Sequence, residues 1–178
     1  MLNRILDKIA ILREHEVYYQ QVHGVKYIMK GLDYHFKNYM RLLSEDDDIH
    51  WFHEVVAYLN RIGQIYYFLK SDFIAAQDSE VPALKRGIPF RMKYSAHRSI
   101  DAPRRDDLPL MMDISIPNMY YTKPSVINPD VNSKAIALPK QNSDGEREPY
   151  ALFIDDEHRS ILTEIDSALL RKISELGI

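Results

Sequence analysis

Apolar residues recur at helical spacing through the first hundred positions. Leu2, Ile5, Leu6, Ile9 and Leu12 share one face, with Arg4, Asp7 and Lys8 opposite them. Gly24 interrupts the pattern. It resumes with Ile28, Leu32, Phe36, Tyr39, Met40 and Leu43, again one face of a helix. The run Ser44-Glu45-Asp46-Asp47-Asp48 then supplies turn and N-cap residues, with carboxylates at the positive end of the next helix. That helix carries Phe52, Val55, Val56, Leu59, Ile62, Tyr66 and Leu69, and Tyr58, Ile65 and Phe68 widen the apolar arc. Such a wide arc predicts a central position in a bundle. Gly63 lies inside it at a cost of roughly 1 kcal/mol against alanine; the close approach of a neighbouring helix accounts for it. Pro82 and Pro89 frame a break near Lys85-Arg86-Gly87, and a fourth helix is predicted to open at Pro89, where proline suits the first turn. It should end near Asp101, because Ala102 precedes Pro103.

The pattern changes after residue 102. Seven of the nine prolines lie between Pro103 and Pro149. Two short alternating runs, Ala135–Leu138 and Tyr150–Ile154, flank the turn signal Asn142-Ser-Asp-Gly145 and predict a β-hairpin. Asp155 and Asp156 open a last helix, with Ile161, Leu162, Ile165, Leu169, Ile173 and Leu176 on one face. The expected fold is mainly α. It is one domain over residues 1–178: an up-and-down bundle over 1–101, a proline-rich arm with the hairpin over 102–154, and a helix over 155–178 packed on the bundle. About five helices are expected in all. A lone hairpin is marginal, so it should lie on the bundle.

Composition narrows the function classes. A chain of 178 residues, 46% hydrophobic and 28% charged, can bury a real core. A net charge of −3 argues against a general polyanion binder and leaves room for a local basic patch. The absence of cysteine excludes disulfides, thiolate metal sites and cysteine nucleophiles. Charges interrupt the N-terminal apolar residues, and no run approaches the roughly 18 apolar residues of a membrane span, so a cytoplasmic protein without membrane partners is expected. Twelve tyrosines, several of them in adjacent pairs, suit an interface, and a homodimer is expected.

The candidate chemistry is concentrated between Lys85 and Arg105. Lys85, Arg86, Arg91, Lys93, Arg98, Arg104 and Arg105 face a single acidic residue in that span, Asp101. The segment reads as a phosphate-binding surface, with Arg98, Lys93, Arg104 and Arg105 as contacts, or as a solvated helix face paired with Asp106 and Asp107. Lys93, His97 and Asp101 are four apart and share a helix face. Asp101 can accept from one imidazole nitrogen of His97 and leave the other for acid–base work. The other reading of His97 is a histidine near a helix C-terminus.

The run Arg91-Met-Lys-Tyr-Ser-Ala-His97, an arginine and a histidine separated by five residues late on a helix, resembles the motif of HEPN domains, a family of nucleotide-binding helical bundles. The resemblance implies a metal-independent ribonuclease acting as a dimer, with Arg91 and His97 meeting at a cleft between subunits. No cofactor is implied. RNA or a nucleotide would be the partner. Met92 departs from the family pattern, in which a polar residue often follows the arginine. The resemblance covers only the helical half, and a non-enzymatic, dimeric interaction protein is the alternative. A third reading is a metal-binding bundle built on His50 and His53, with His15, Glu16 and His35 as possible partners. His-x-x-His without a matched carboxylate motif predicts no stoichiometric metal.

Overall fold

The computed structural model describes residues 1–15, 22–45, 47–92, 122–141 and 147–178. Five helices are defined there: α1 (Leu2–Glu14), α2 (Val25–Glu45), α3 (Asp48–Leu69), α4 (Pro82–Arg91) and α5 (Ile154–Leu176). Four short strands lie between α4 and α5: β1 (Thr122–Pro124), β2 (Asn132–Lys134), β3 (Ile136–Gln141) and β4 (Arg147–Leu152). The mainly α bundle with a β-hairpin ahead of the last helix is therefore the observed architecture.

The apolar stripes bury as their spacing requires. Ile5, Ile9 and Leu12 of α1, Leu32, Phe36 and Tyr39 of α2, and Val55, Leu59 and Ile62 of α3 meet Ile161, Ile165 and Leu169 of α5 in one continuous core. Trp51, Tyr39, Tyr58 and Phe90 are its largest fully buried side chains. Helices α2 and α3 run antiparallel: His35 and Asn38 bond Glu54, while Gly31, about one turn earlier, lies against Arg61, two turns later. The acidic turn caps α3 as expected, with the Asp47 carboxylate accepting from the His50 amide at 3.1 Å. Helix α4 packs on α3, and α1 on α5.

Three expectations are corrected. Helix α4 opens at Pro82, with proline in its first turn, and Pro89 lies inside it. Pro89 leaves the carbonyl of Lys85 without its helical donor, and Lys85 is exposed, so water can take the donor's place. The expected end near Asp101 falls outside the described residues. Lys8 does not face solvent: it is buried against α5, where its ammonium and the Arg4 guanidinium both engage Asp166. Finally, the arm holds two ribbons. The expected hairpin is present, β3 pairing antiparallel with β4 from Ile136↔Leu152 to Gln141↔Arg147. Ahead of it β1 pairs with β2, Thr122 opposite Lys134, in a stretch without apolar alternation.

The first ribbon is fastened to the bundle by polar contacts. The Ser133 hydroxyl donates to buried Asp155 at the start of α5 and accepts from the Tyr39 phenol of α2 at 2.9 Å. Lys134 reaches Asp48 of α3 at 2.6 Å, and Lys123 pairs with Asp156 while lying over the Phe153 ring. The beginning of α4 is fastened in the same way. Val81 offers no capping side chain, and the Glu164 carboxylate of α5 accepts from the amides of Ala83 and Leu84 at 2.7 and 3.1 Å.

Candidate functional site

Arg91 is the member of the expected site that the described residues contain. It occupies the last turn of α4, and its side chain crosses onto α3. The seat is Gly63: a Cβ there would come within 2.1 Å of Arg91 Cδ and 2.2 Å of Nε. The missing side chain of Gly63 thus makes room for an arginine, where the sequence had suggested a helix backbone. The guanidinium carbon then lies 5.5 Å from the centroid of the exposed Tyr67 ring, a cation–π contact. Nε is buried without a hydrogen-bond partner.

The charge around Arg91 is unbalanced among the described residues. Arg4, Arg41, Arg86 and Arg171 each engage a carboxylate. No carboxylate reaches Arg91 among the described residues, although its side chain is partly buried. Two other cations of the basic segment are neutralised, by partners the sequence did not suggest. Lys85 pairs with Asp78 at 2.8 Å and Arg86 with Glu157 at 2.6 Å. The half-buried Asp78 carboxylate is held well below its ordinary pKa by hydrogen bonds from Lys85, Lys70 and Tyr66. His97, Asp101, Lys93, Arg98, Arg104 and Arg105 lie outside the described residues.

The histidines proposed for a metal are dispersed in their bonding. His50 is exposed and bonds Asp47 through Nδ1 at 2.6 Å, and His53 is exposed one turn on. His35 pairs with Glu54 at 2.7 Å, a carboxylate that also accepts from Asn38. Among the described residues no group of three or more histidine, aspartate or glutamate side chains is placed to hold a metal ion. Glu16 falls outside the description.

Sequence reasoning missed His158. It is buried on α5, its ring stacked on Phe36 at 3.6 Å between centroids and 5° between planes, with Nδ1 2.9 Å from the Tyr58 hydroxyl. Burial pushes its pKa down to about 4, so the ring is neutral near pH 7 and shares a hydrogen bond with the phenol whose direction the tautomer sets. Burial likewise raises the Tyr58 pKa well above its usual range. The one available signal was a histidine at i−3 and i−4 from Ile161 and Leu162, on the apolar face of α5.

No helix among the described residues is long and apolar enough to cross a membrane. Compared with protein-family models, with curated proteins and with solved structures, the chain finds no match in any of the three.

Proposed function

We propose that the chain is a HEPN-like helical protein that binds RNA or a nucleotide phosphate at the end of α4, with Arg91 as a phosphate contact. The observation that supports this reading is a partly buried guanidinium, seated on Gly63 and Tyr67, with no carboxylate beside it among the described residues. Burying part of a cation without an anion is costly, and a phosphate oxygen would restore both the charge balance and the missing acceptor. Downstream, Lys93, Arg98, Arg104 and Arg105 supply further positive charge in sequence. In the ribonuclease form of this reading a 2′-hydroxyl attacks the adjacent phosphate. His97 moves the proton, Asp101 orients it, and Arg91 and Arg98 stabilise the developing charge.

The test is an RNA-binding titration at two salt concentrations, with cleavage assayed in parallel without added metal. Arg91→Ala should weaken binding and lower the salt slope by about 0.7 to 0.9 for each phosphate that the arginine neutralises. His97→Ala should bind RNA as the parent does and fail to cleave it, and Asp101→Asn should slow cleavage less. Salt-independent or undetectable binding by the parent protein would overturn the proposal.

A further inference from the structure

A second arginine without a carboxylate partner among the described residues lies on another face of α3. Arg61 crosses onto α2 and rests over Gly31, where a Cβ would come within 2.8 Å of its Nε. That Nε is buried without a partner, and one terminal nitrogen donates to Gln64 at 2.8 Å. Tyr27 and Tyr34 stand on either side of Gly31 along α2, 66% and 61% exposed. They are seven residues apart, two helical turns or about 10 Å. Tyr34 is braced edge-on against the His35 ring, centroids 5.3 Å apart at 77°, so covering it costs less side-chain entropy. Lys26 and Lys30 are exposed on the same helix and make no ion pair among the described residues. The acids of the adjoining turns are already taken, Asp33 by Lys37 and Glu54 by His35 and Asn38.

We propose that this face, Tyr27 and Tyr34 flanking Arg61 on its glycine seat, docks an acidic segment of another protein. Exposed tyrosines around a half-buried arginine have the composition of interface anchors. The charge selects the partner. A second copy of the chain set face to face would bring Arg61, Lys26 and Lys30 against the same cations, so a two-fold self-contact is repelled. Nucleic acid, which would meet the same cations through its phosphates, is the other outcome that the test reads. A protein segment with one or two carboxylates between apolar side chains satisfies Arg61 and covers both rings. This surface stands apart from the end of α4 and does not depend on phosphate binding there.

The probe is a labelled amphipathic peptide of glutamate and leucine, titrated into the full chain by fluorescence anisotropy with amide-resolved NMR. A lysine–leucine peptide and oligouridylate serve as the comparison arms. The glutamate–leucine peptide should bind, with shifts confined to the Tyr27–Tyr34 turns and the residues around Arg61, and the lysine–leucine peptide should not. Arg61→Met keeps the apolar stem on Gly31 and removes the charge; it should weaken binding on the order of tenfold or more. The double variant Tyr27→Ala, Tyr34→Ala changes exposed positions only, leaves the fold intact, and should abolish binding. Absence of peptide binding, binding indifferent to both variants, or oligouridylate displacing the peptide from these residues would overturn the proposal.

Discussion

His158 is the residue whose surroundings most alter its chemistry. Its folded pKa of about 4 lies below the ordinary histidine value of about 6.5 because burial disfavours the charged ring. Between those values the unfolded chain binds a proton that the folded chain refuses. This part of the stability is complete above pH 6.5 and is lost as pH falls toward 4, on the order of 3 kcal/mol in total. Urea unfolding from pH 7 to 4.5 should show that decline, and His158→Asn, which keeps a hydrogen-bonding group for Tyr58 and does not titrate, should flatten it. Gly63 carries a second residue-scale prediction. In Gly63→Ala the helix gains up to about 1 kcal/mol, and the flexible end of Arg91 must leave its seat. Stability should stay within about 1 kcal/mol of the parent while RNA affinity falls as in Arg91→Ala, read by urea unfolding and binding titration side by side. Part of this was legible beforehand. A glycine in a wide apolar arc signalled close contact. That Arg91 fills the contact was not legible, since the two positions belong to different helices. Lys8 was misread for a similar reason: a charge beside an apolar stripe reads as solvated unless its partner, here Asp166 on α5, is known.

At the scale of elements, the stripes of α1, α2, α3 and α5 fixed those helices, because burial of one face decides a long helix. Helix α4 has only ten residues, two prolines and a weak stripe. Either proline could have opened it on local grounds. Glu164 supplies the caps at the Pro82 end, from a helix eighty residues away in sequence, and local pattern cannot show that. Glu164→Ala leaves the Ala83 and Leu84 amides without an acceptor and should destabilise the protein by about 1 to 2 kcal/mol. Hydrogen exchange should locate the loss in the first turn of α4. Uniform protection there in the variant would remove Glu164 from the role of cap.

At the scale of the molecule, the five helices and the hairpin of the described residues were legible and the ribbon β1–β2 was not. Thr122–Pro124 and Asn132–Lys134 lack apolar alternation because polar links to α2, α3 and α5 hold them in place. Ser133 joins two of those helices, α2 and α5. Ser133→Ala removes the donor to a buried carboxylate and should cost about 1 to 3 kcal/mol in urea unfolding. Paired with Tyr39→Phe it should cost less than the sum of the two singles, since both disrupt one network. The cap that Glu164 places on α4 also bears on the order in which the chain can mature. During synthesis α4 leaves the ribosome long before α5, so its first turn must wait for the last helix, and so must Arg4 and Lys8 for Asp166. These long-range closures slow folding relative to a bundle of sequential neighbours. The nascent chain therefore carries the α5-facing side of α1 uncovered until α5 emerges, a substrate for chaperones in that interval.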